Sequence, residues 1–173
     1  MRPASFALAA AASLLAACAT FGVSGPPSDE ARAMLAAVNG LAGDWEGNYG
    51  GQTVVTRFEP SSHGSAVREI LFAGSPEEMT NVYHLDGPSL LMTHYCAMGT
   101  QPRLRARSLE GGRIEFALDS VTNRASADEP IMAGLVLELV DRDHLVEHWH
   151  NTGEDPSHPP ADFRFTRRAA SVR

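Results

Sequence analysis

From Gly43 onward, apolar and polar residues alternate along the chain, and this period of two residues limits the possible folds more than any other feature. Such alternation is typical of β-strands that bury one face and expose the other. Turn-forming residues interrupt it roughly every eight to twelve residues, as in all-β sandwiches and barrels. The pattern predicts ten short strands: Gly43–Tyr49, Gln52–Glu59, Ser65–Phe72, Met79–Leu85, Ser89–Cys96, Leu104–Ser108, Arg113–Leu118, Leu135–Val140, His144–Asn151 and Ala161–Arg167.

We expect the fold class to be all-β, an antiparallel up-and-down β-barrel of about eight to ten strands. Consecutive strands joined by short turns usually pair with their neighbours, and closing the sheet removes its exposed edges. Asp119–Pro130 is polar and has no strand pattern, so it predicts a longer loop. Before the barrel, Met34, Leu35 and Val38 recur at helical spacing after an acidic start, which predicts a short N-terminal helix.

The start of the chain predicts export. Phe6–Ala17 is apolar, too short to span a bilayer core of roughly 30 Å but suited to a signal peptide. It ends in Leu15-Ala16-Ala17-Cys18, which resembles the bacterial lipobox, whose cysteine receives a diacylglycerol. The resemblance implies an envelope lipoprotein anchored through Cys18, and Ala19 favours the outer membrane, facing the periplasm. An ordinary secretory signal with an incidental cysteine is the alternative.

The predicted organisation is a lipoprotein signal peptide over residues 1–17, a tether over 18–28, a helix over 29–40 and a barrel domain over 41–168. The chain has 14 basic and 21 acidic residues and a formal net charge of -7, which argues against a nucleic-acid partner. The chain has two cysteines. If Cys18 carries a lipid, Cys96 is left without a partner for an intramolecular disulfide.

Leu41–Gly47 resembles the Gly-x-Trp start of lipocalin-like (calycin) barrels. Those barrels often place an arginine of the last strand across the tryptophan ring. Phe163, Phe165 and Arg167 share one face of the last predicted strand. The resemblance therefore implies a structural contact between Trp45 and Arg167, a cation–π interaction of about 0.5–2 kcal/mol.

A narrower resemblance covers roughly residues 41–168. Five segments are similar to an uncharacterised family of secreted bacterial proteins with a lipocalin-like domain: Gly64–Glu69, Glu78–Met79, Val82–Gly87, Thr93–Cys96 and Gln101–Arg103. The chain departs from that family's pattern at Thr100, where asparagine is common, and at Ile131–Ala133, where histidines are common. The resemblance implies a fold and secretion, but it implies no activity.

The hairpin signal Asp86-Gly87 predicts which side chains face the barrel interior. A two-residue loop at these positions pairs Asn81 with Met92. One face of the hairpin then holds Asn81, Tyr83, Leu90, Met92, His94 and Cys96. Because this face carries more bulky apolar groups, we expect it to point inward, with His94 and Cys96 about 7 Å apart in a cavity.

Histidines are the candidate ligands for a metal or haem. His94 and Cys96 could combine with His148 and His150, or His94 alone could bind haem, as in haem-binding barrels of similar shape. The alternation argues against the four-residue site, because Leu145, Glu147 and Trp149 share the core face and His148 and His150 the opposite one. A hydrogen-bonded His94 and a buried Cys96 without a ligand are the simpler alternative.

We expect a non-catalytic, membrane-anchored barrel that binds a small, partly apolar ligand, without a catalytic residue, a cofactor or a nucleic-acid partner. The candidate ligand-binding residues are Asn81, Tyr83, Met92, His94, Cys96 and Arg103. Arg103, Arg105 and Arg107 form a stripe that could receive an acidic group or could be a solvated surface. Two alternatives stay open: a metal- or haem-dependent protein or enzyme using His94 and Cys96, and a filled barrel that serves as an envelope interaction module.

Overall fold

Ten antiparallel strands form a closed barrel in the residues that the computed structural model describes, 24–152 and 161–169. Each strand pairs with the next along the chain and the first pairs with the last, so the predicted up-and-down barrel is confirmed. The strands are β1 (Gly43–Tyr49), β2 (Gln52–Ser61), β3 (Ala66–Leu71), β4 (Met79–Asp86), β5 (Ser89–Tyr95), β6 (Gln101–Glu110), β7 (Arg113–Thr122), β8 (Met132–Leu139), β9 (His144–Asn151) and β10 (Ala161–Arg167). The predicted signal peptide, Cys18 and the tether as far as residue 23 lie outside the described residues.

Trp45 and Arg167 pair where β1 meets β10 and closes the barrel. The guanidinium carbon of Arg167 lies 4.1 Å from the centroid of the Trp45 ring, the contact that closure predicts. Arg167 also donates hydrogen bonds to the backbone carbonyls of Gly40, Ala42 and Arg142, at 3.2, 2.8 and 3.0 Å. The planar fork of the guanidinium therefore holds three chain segments together at the closure.

Helix α1 (Asp29–Asn39) covers one end of the barrel. Ser28 caps the helix by accepting a hydrogen bond of 3.0 Å from the backbone N–H of Ala31. The buried side of the helix joins the barrel core through Ala31, Met34, Leu35 and Val38. Because successive turns of an up-and-down barrel lie at opposite ends, the β1–β2 and β3–β4 turns surround the end that α1 does not cover. No helix among the described residues is long and apolar enough to cross a membrane.

The β4–β5 hairpin differs from its predicted register. Its two loop residues are Gly87 and Pro88, one position later than the Asp-Gly signal predicts. Gly87 has φ +54° and the proline ring holds φ at about −65°, a combination that suits a type II′ turn. Asn81 consequently lies opposite His94 rather than Met92. The pairing shifts by two residues, so every side chain stays on its predicted face.

Strands β6 and β7 are longer than the alternation predicts. Residues 119–122, expected at the start of a loop, continue β7 and pair with β6 as far as Gln101 opposite Thr122. These residues are polar, but a strand whose outer face meets water needs hydrogen-bonding partners rather than apolar side chains. Arg105 on β6 supports the extension by donating a hydrogen bond of 2.9 Å to Asp119.

Candidate ligand-binding site

A cavity of about 580 Å³ opens at the end of the barrel that α1 leaves uncovered. Small-molecule sites usually measure about 300–1,000 Å³, so the volume suits one small ligand. The walls are mainly apolar side chains from five strands and adjoining turns: Val54, Leu71, Met79, Met132, Ala161 and Phe163. Gln52, Ser75 and Glu77 lie at the rim, and His94 and Trp149 form the floor.

Three aromatic side chains frame the mouth of the cavity. The Phe163 ring lies 5.0 Å from that of Tyr49 and 5.6 Å from that of Phe72, measured between centroids. Phe72 follows β3 with φ +53°, an uncommon conformation for a bulky residue. The next residue, Ala73, donates a backbone hydrogen bond of 2.8 Å to Val55, which ties this turn to β2. This backbone conformation places the Phe72 ring in the lining of the cavity.

His94 lies at the floor of the cavity and is fully buried from solvent. Its ring packs against Trp149, with 4.9 Å between centroids. Its Nδ1 lies 2.7 Å from Oδ1 of Asn81, while Asn81 Nδ2 donates a hydrogen bond of 2.7 Å to Glu69. An amide that gives its N–H group to a carboxylate presents its carbonyl oxygen to the imidazole, so His94 carries its proton on Nδ1.

The second ring nitrogen of His94, Nε2, has no hydrogen-bond partner among the described residues. Burial lowers the pKa of His94 to about 4, so the imidazole is neutral near pH 7. With Nδ1 protonated, Nε2 carries a lone pair and can only accept a hydrogen bond or bind a metal. A buried polar atom in this state is uncommon in folded proteins, and this one belongs to a side chain that lines the cavity.

Two buried glutamates from opposite sides of the barrel meet beneath the floor. Glu69 on β3 accepts hydrogen bonds from Thr56 at 3.1 Å, Asn81 at 2.7 Å and Tyr83 at 2.6 Å. Glu147 on β9 accepts one from the Trp149 indole at 3.0 Å.

The surroundings of the two glutamates favour a different protonation state for each. Burial and, next to it, the charge of Glu69 raise the pKa of Glu147 well above its ordinary value. We therefore take the pair to hold one proton on Glu147 and one negative charge on Glu69, the carboxylate that accepts three hydrogen bonds. Burial, and after it the charge of Glu69, also raises the pKa of Tyr83, so the phenol stays protonated.

The predicted ligand-binding residues do not all lie together. Asn81, Tyr83 and Met92 are inside the barrel and fully buried, and His94 is the one of the six that lines the cavity. Cys96 follows the end of β5, half-buried and outside the cavity lining, where its backbone N–H bonds to Thr100. Arg103 lines a separate outer groove with His84, Tyr95 and Thr122. The expected pairing of His94 with Cys96 in the cavity is therefore absent, because the strand ends at Tyr95.

Glu69 and Glu147 were not named as site residues from the sequence, although the alternation placed Glu147 on the core face of its strand. Glu69 alternates in phase with Val67 and Leu71, and Glu147 with Leu145 and Trp149, all of them buried. A charged residue in phase with a core face is a signal that could have found them, because such residues are rarely buried without a partner. The signal does not say that the two carboxyl groups meet, since β3 and β9 lie far apart along the chain.

The second histidine cluster faces away from the cavity. His148 lies 2.8 Å from an oxygen of Asp162 and 3.2 Å from one of Glu138 on the outer surface, and His150 is exposed. The four-residue site of His94, Cys96, His148 and His150 is therefore not assembled. The described residues contain no group of three or more His, Cys, Asp or Glu side chains placed to hold a metal ion.

No family model matches the chain, and no curated protein matches it. The closed antiparallel barrel itself is compatible with a lipocalin-like architecture.

Proposed function

We propose that this protein is a non-catalytic binding barrel that holds one small, largely apolar molecule carrying a hydrogen-bond donor. The observation that carries the proposal is the unpaired Nε2 of His94 at the floor of an open, apolar cavity of about 580 Å³. A bound N–H or O–H group would satisfy that nitrogen, and the apolar walls would take up the rest of the molecule. The cavity also favours this function over a filled barrel that acts as an interaction module.

The rigidity of the floor supports the proposal. Asn81 fixes the His94 ring, and Glu69 fixes Asn81, so a chain of hydrogen bonds holds the acceptor in place before a ligand arrives. A preformed site loses less conformational freedom when it binds.

We also propose that the chain belongs to the family of secreted bacterial lipoproteins that it resembles and is anchored in the envelope through Cys18. Ser24 and Ser28 bind Asp86 and Pro88 at the β4–β5 turn, at the end of the barrel that α1 covers. A lipid on Cys18 would therefore start from that end, and the cavity would open away from the anchoring membrane. Expression in a bacterial host, followed by separation of membrane and soluble fractions, tests the anchor. Cys18→Ser should move the protein from the membrane fraction to the soluble fraction, whereas Cys96→Ser should leave it in the membrane fraction.

Titration with N-phenyl-1-naphthylamine, a neutral aromatic probe with one N–H group, tests ligand binding. Probe fluorescence should rise on binding to the full chain carrying Cys18→Ser, and Trp149 emission should fall, because this residue lies at the cavity floor.

Met132→Trp enlarges a side chain of the cavity wall and should abolish probe binding, whereas Val140→Trp, at a side chain that is 54% exposed, should leave it unchanged. Equal binding by the two variants would show that the probe sits elsewhere.

Binding of haem or a metal ion through His94 is a second candidate function. A metal-ligating imidazole usually donates its other N–H to an oxygen, as His94 donates to Asn81. Titration with haemin distinguishes this function: a shifted Soret band in the wild type, lost in His94→Phe, would support it. An unshifted band would leave the binding of an organic donor as the better proposal.

A further inference from the structure

The floor of the cavity carries a negative charge that no described cation balances. The hydrogen-bond partners of Glu69 and Glu147 in the described chain are Thr56, Asn81, Tyr83 and Trp149, all of them neutral groups. No arginine is among the described residues that line the cavity, whereas the rim contributes the carboxyl group of Glu77. The electrostatic potential of the site therefore favours a positive ligand.

The floor also lacks a hydrogen-bond donor for a ligand. The Nδ1–H of His94 is given to Asn81, the indole N–H of Trp149 to Glu147 and the hydroxyl of Tyr83 to Glu69. Two buried polar atoms of the described residues have no hydrogen-bond partner, His94 Nε2 and Glu147 Oε1, and of these two residues only His94 lines the cavity. A carboxylate or phosphate would place its oxygens against a lone pair near a buried carboxylate, so the site disfavours anions.

Four aromatic side chains line the cavity that leads to this acceptor. Trp149 lies beside His94, and Phe163, Phe72 and Tyr49 follow towards the mouth. Ring faces attract cations, and they do so most strongly where water is partly excluded. An ammonium group with alkyl substituents would bring positive C–H groups to these rings while its body contacts the apolar walls.

We propose, building on the binding function above, that the cavity selects a protonated tertiary amine with an apolar body. A tertiary ammonium has one N–H, which matches the single acceptor on His94. Its charge faces the ionised carboxylate beneath the floor, and its alkyl groups face the aromatic rings. A primary ammonium would bring two further N–H groups, and the other unpaired buried acceptor of the described residues, Glu147 Oε1, belongs to a side chain outside the cavity lining.

Calorimetric titration of the full chain carrying Cys18→Ser at pH 7 tests the selectivity with four probes of one shape. N,N-dimethylphenethylamine has charge and an N–H; its N,N,N-trimethyl analogue has charge alone; 2-phenylethanol has a donor alone; phenylacetate has the opposite charge. We expect the dimethylamine to bind about tenfold or more tightly than the trimethyl analogue and the alcohol, since it alone makes a charge-assisted hydrogen bond. Phenylacetate should not bind measurably.

A pair of variants tests the source of the selectivity. The double variant Glu69→Gln/Glu147→Gln removes the buried charge, and the preference for the amine over the alcohol should then fall to less than about threefold. Glu115→Gln removes one charge from an exposed position on the outer face and should keep the full preference. If the double variant does not fold, as judged by circular dichroism, the four-probe series on the unmodified site decides the proposal.

The outcomes separate this inference from the function on which it rests. If 2-phenylethanol or phenylacetate binds as tightly as the dimethylamine, the selectivity for a cation is overturned. It is also overturned if N-phenyl-1-naphthylamine binds but none of the four probes does. A trimethyl analogue that binds as tightly as the dimethylamine would overturn the role of the single N–H. If N-phenyl-1-naphthylamine does not bind either, the binding function and the inference both fail.

Discussion

Asn81 stands between Glu69 and His94, with its amide nitrogen 2.7 Å from the carboxylate and its amide oxygen 2.7 Å from the imidazole Nδ1. This order makes one residue responsible for the orientation of His94 and for part of the stability of a buried charge. Asn81 is itself fully buried, so water cannot replace the hydrogen bonds that it makes.

Replacing Asn81 with alanine should destabilise the protein by about 2–3 kcal/mol, because the His94 N–H would lose its acceptor and Glu69 one of its donors. Urea unfolding followed by tryptophan fluorescence measures the change. Thr80→Ala, at the half-buried neighbouring position on β4, is the matched control and should cost less than about 1 kcal/mol. An Asn81→Ala protein as stable as this control would contradict the importance of the hydrogen-bond chain.

His94 should make the stability pH-dependent. Its pKa is lowered to about 4 in the folded protein from an ordinary 6.5, so between these values the unfolded chain binds a proton that the folded chain does not. Stability should therefore fall as the pH decreases through this range, by about 3 kcal/mol in total. The raised pKa of Glu147 acts in the opposite direction, destabilising the fold as the pH rises above its unfolded value.

Comparison of two histidine variants isolates this contribution. His94→Asn keeps an N–H that can reach Asn81 but does not titrate, so its urea midpoint should change less between pH 7 and about pH 4.5 than that of the wild type. His150→Asn, at an exposed position, should keep the wild-type pH dependence. The same pH dependence in all three proteins would show that His94 does not titrate with a lowered pKa.

Arg167→Lys should destabilise the barrel by about 1–2 kcal/mol although it keeps the charge, because lysine cannot stack on Trp45 and bond three carbonyls together. The midpoint of urea unfolding measures the loss. Arg164→Lys, on the same strand but exposed, should change stability by less than about 0.5 kcal/mol. A smaller effect at Arg167 than at Arg164 would argue against the closure contact.

Gly47→Ala should weaken the pairing of β1 with β10. A Cβ at this position would lie 2.6 Å from the carbonyl oxygen of Arg164 and 2.8 Å from a ring carbon of Phe165, so the strands would have to separate. We expect a loss of about 1–3 kcal/mol in thermal or urea unfolding, as for other overpacked sites. Slower hydrogen exchange, or no change, in β1 and β10 of the variant would contradict this expectation.

Much of the barrel could be predicted because strand pleating is a local property. Alternation predicted that Asn81, Tyr83, Met92 and His94 lie on the inward face, and all four are buried. The predicted hairpin register was wrong by two residues, but a shift of two residues leaves every side chain on the same face of the sheet. The pairing of Trp45 with Arg167 also followed from the sequence, because a closed meander must bring its first and last strands together.

The site itself was decided by the tertiary structure. Whether His94 Nε2 is unpaired, and whether a cavity lies above it, depends on how side chains from many strands fill the interior, which no local pattern encodes. The meeting of Glu69 with Glu147 depends on the width of the barrel, because β3 and β9 are not neighbours in the sheet. The sequence by itself determined which residues point inward; the packing of distant strands determined which of them meet across the barrel and which line the cavity.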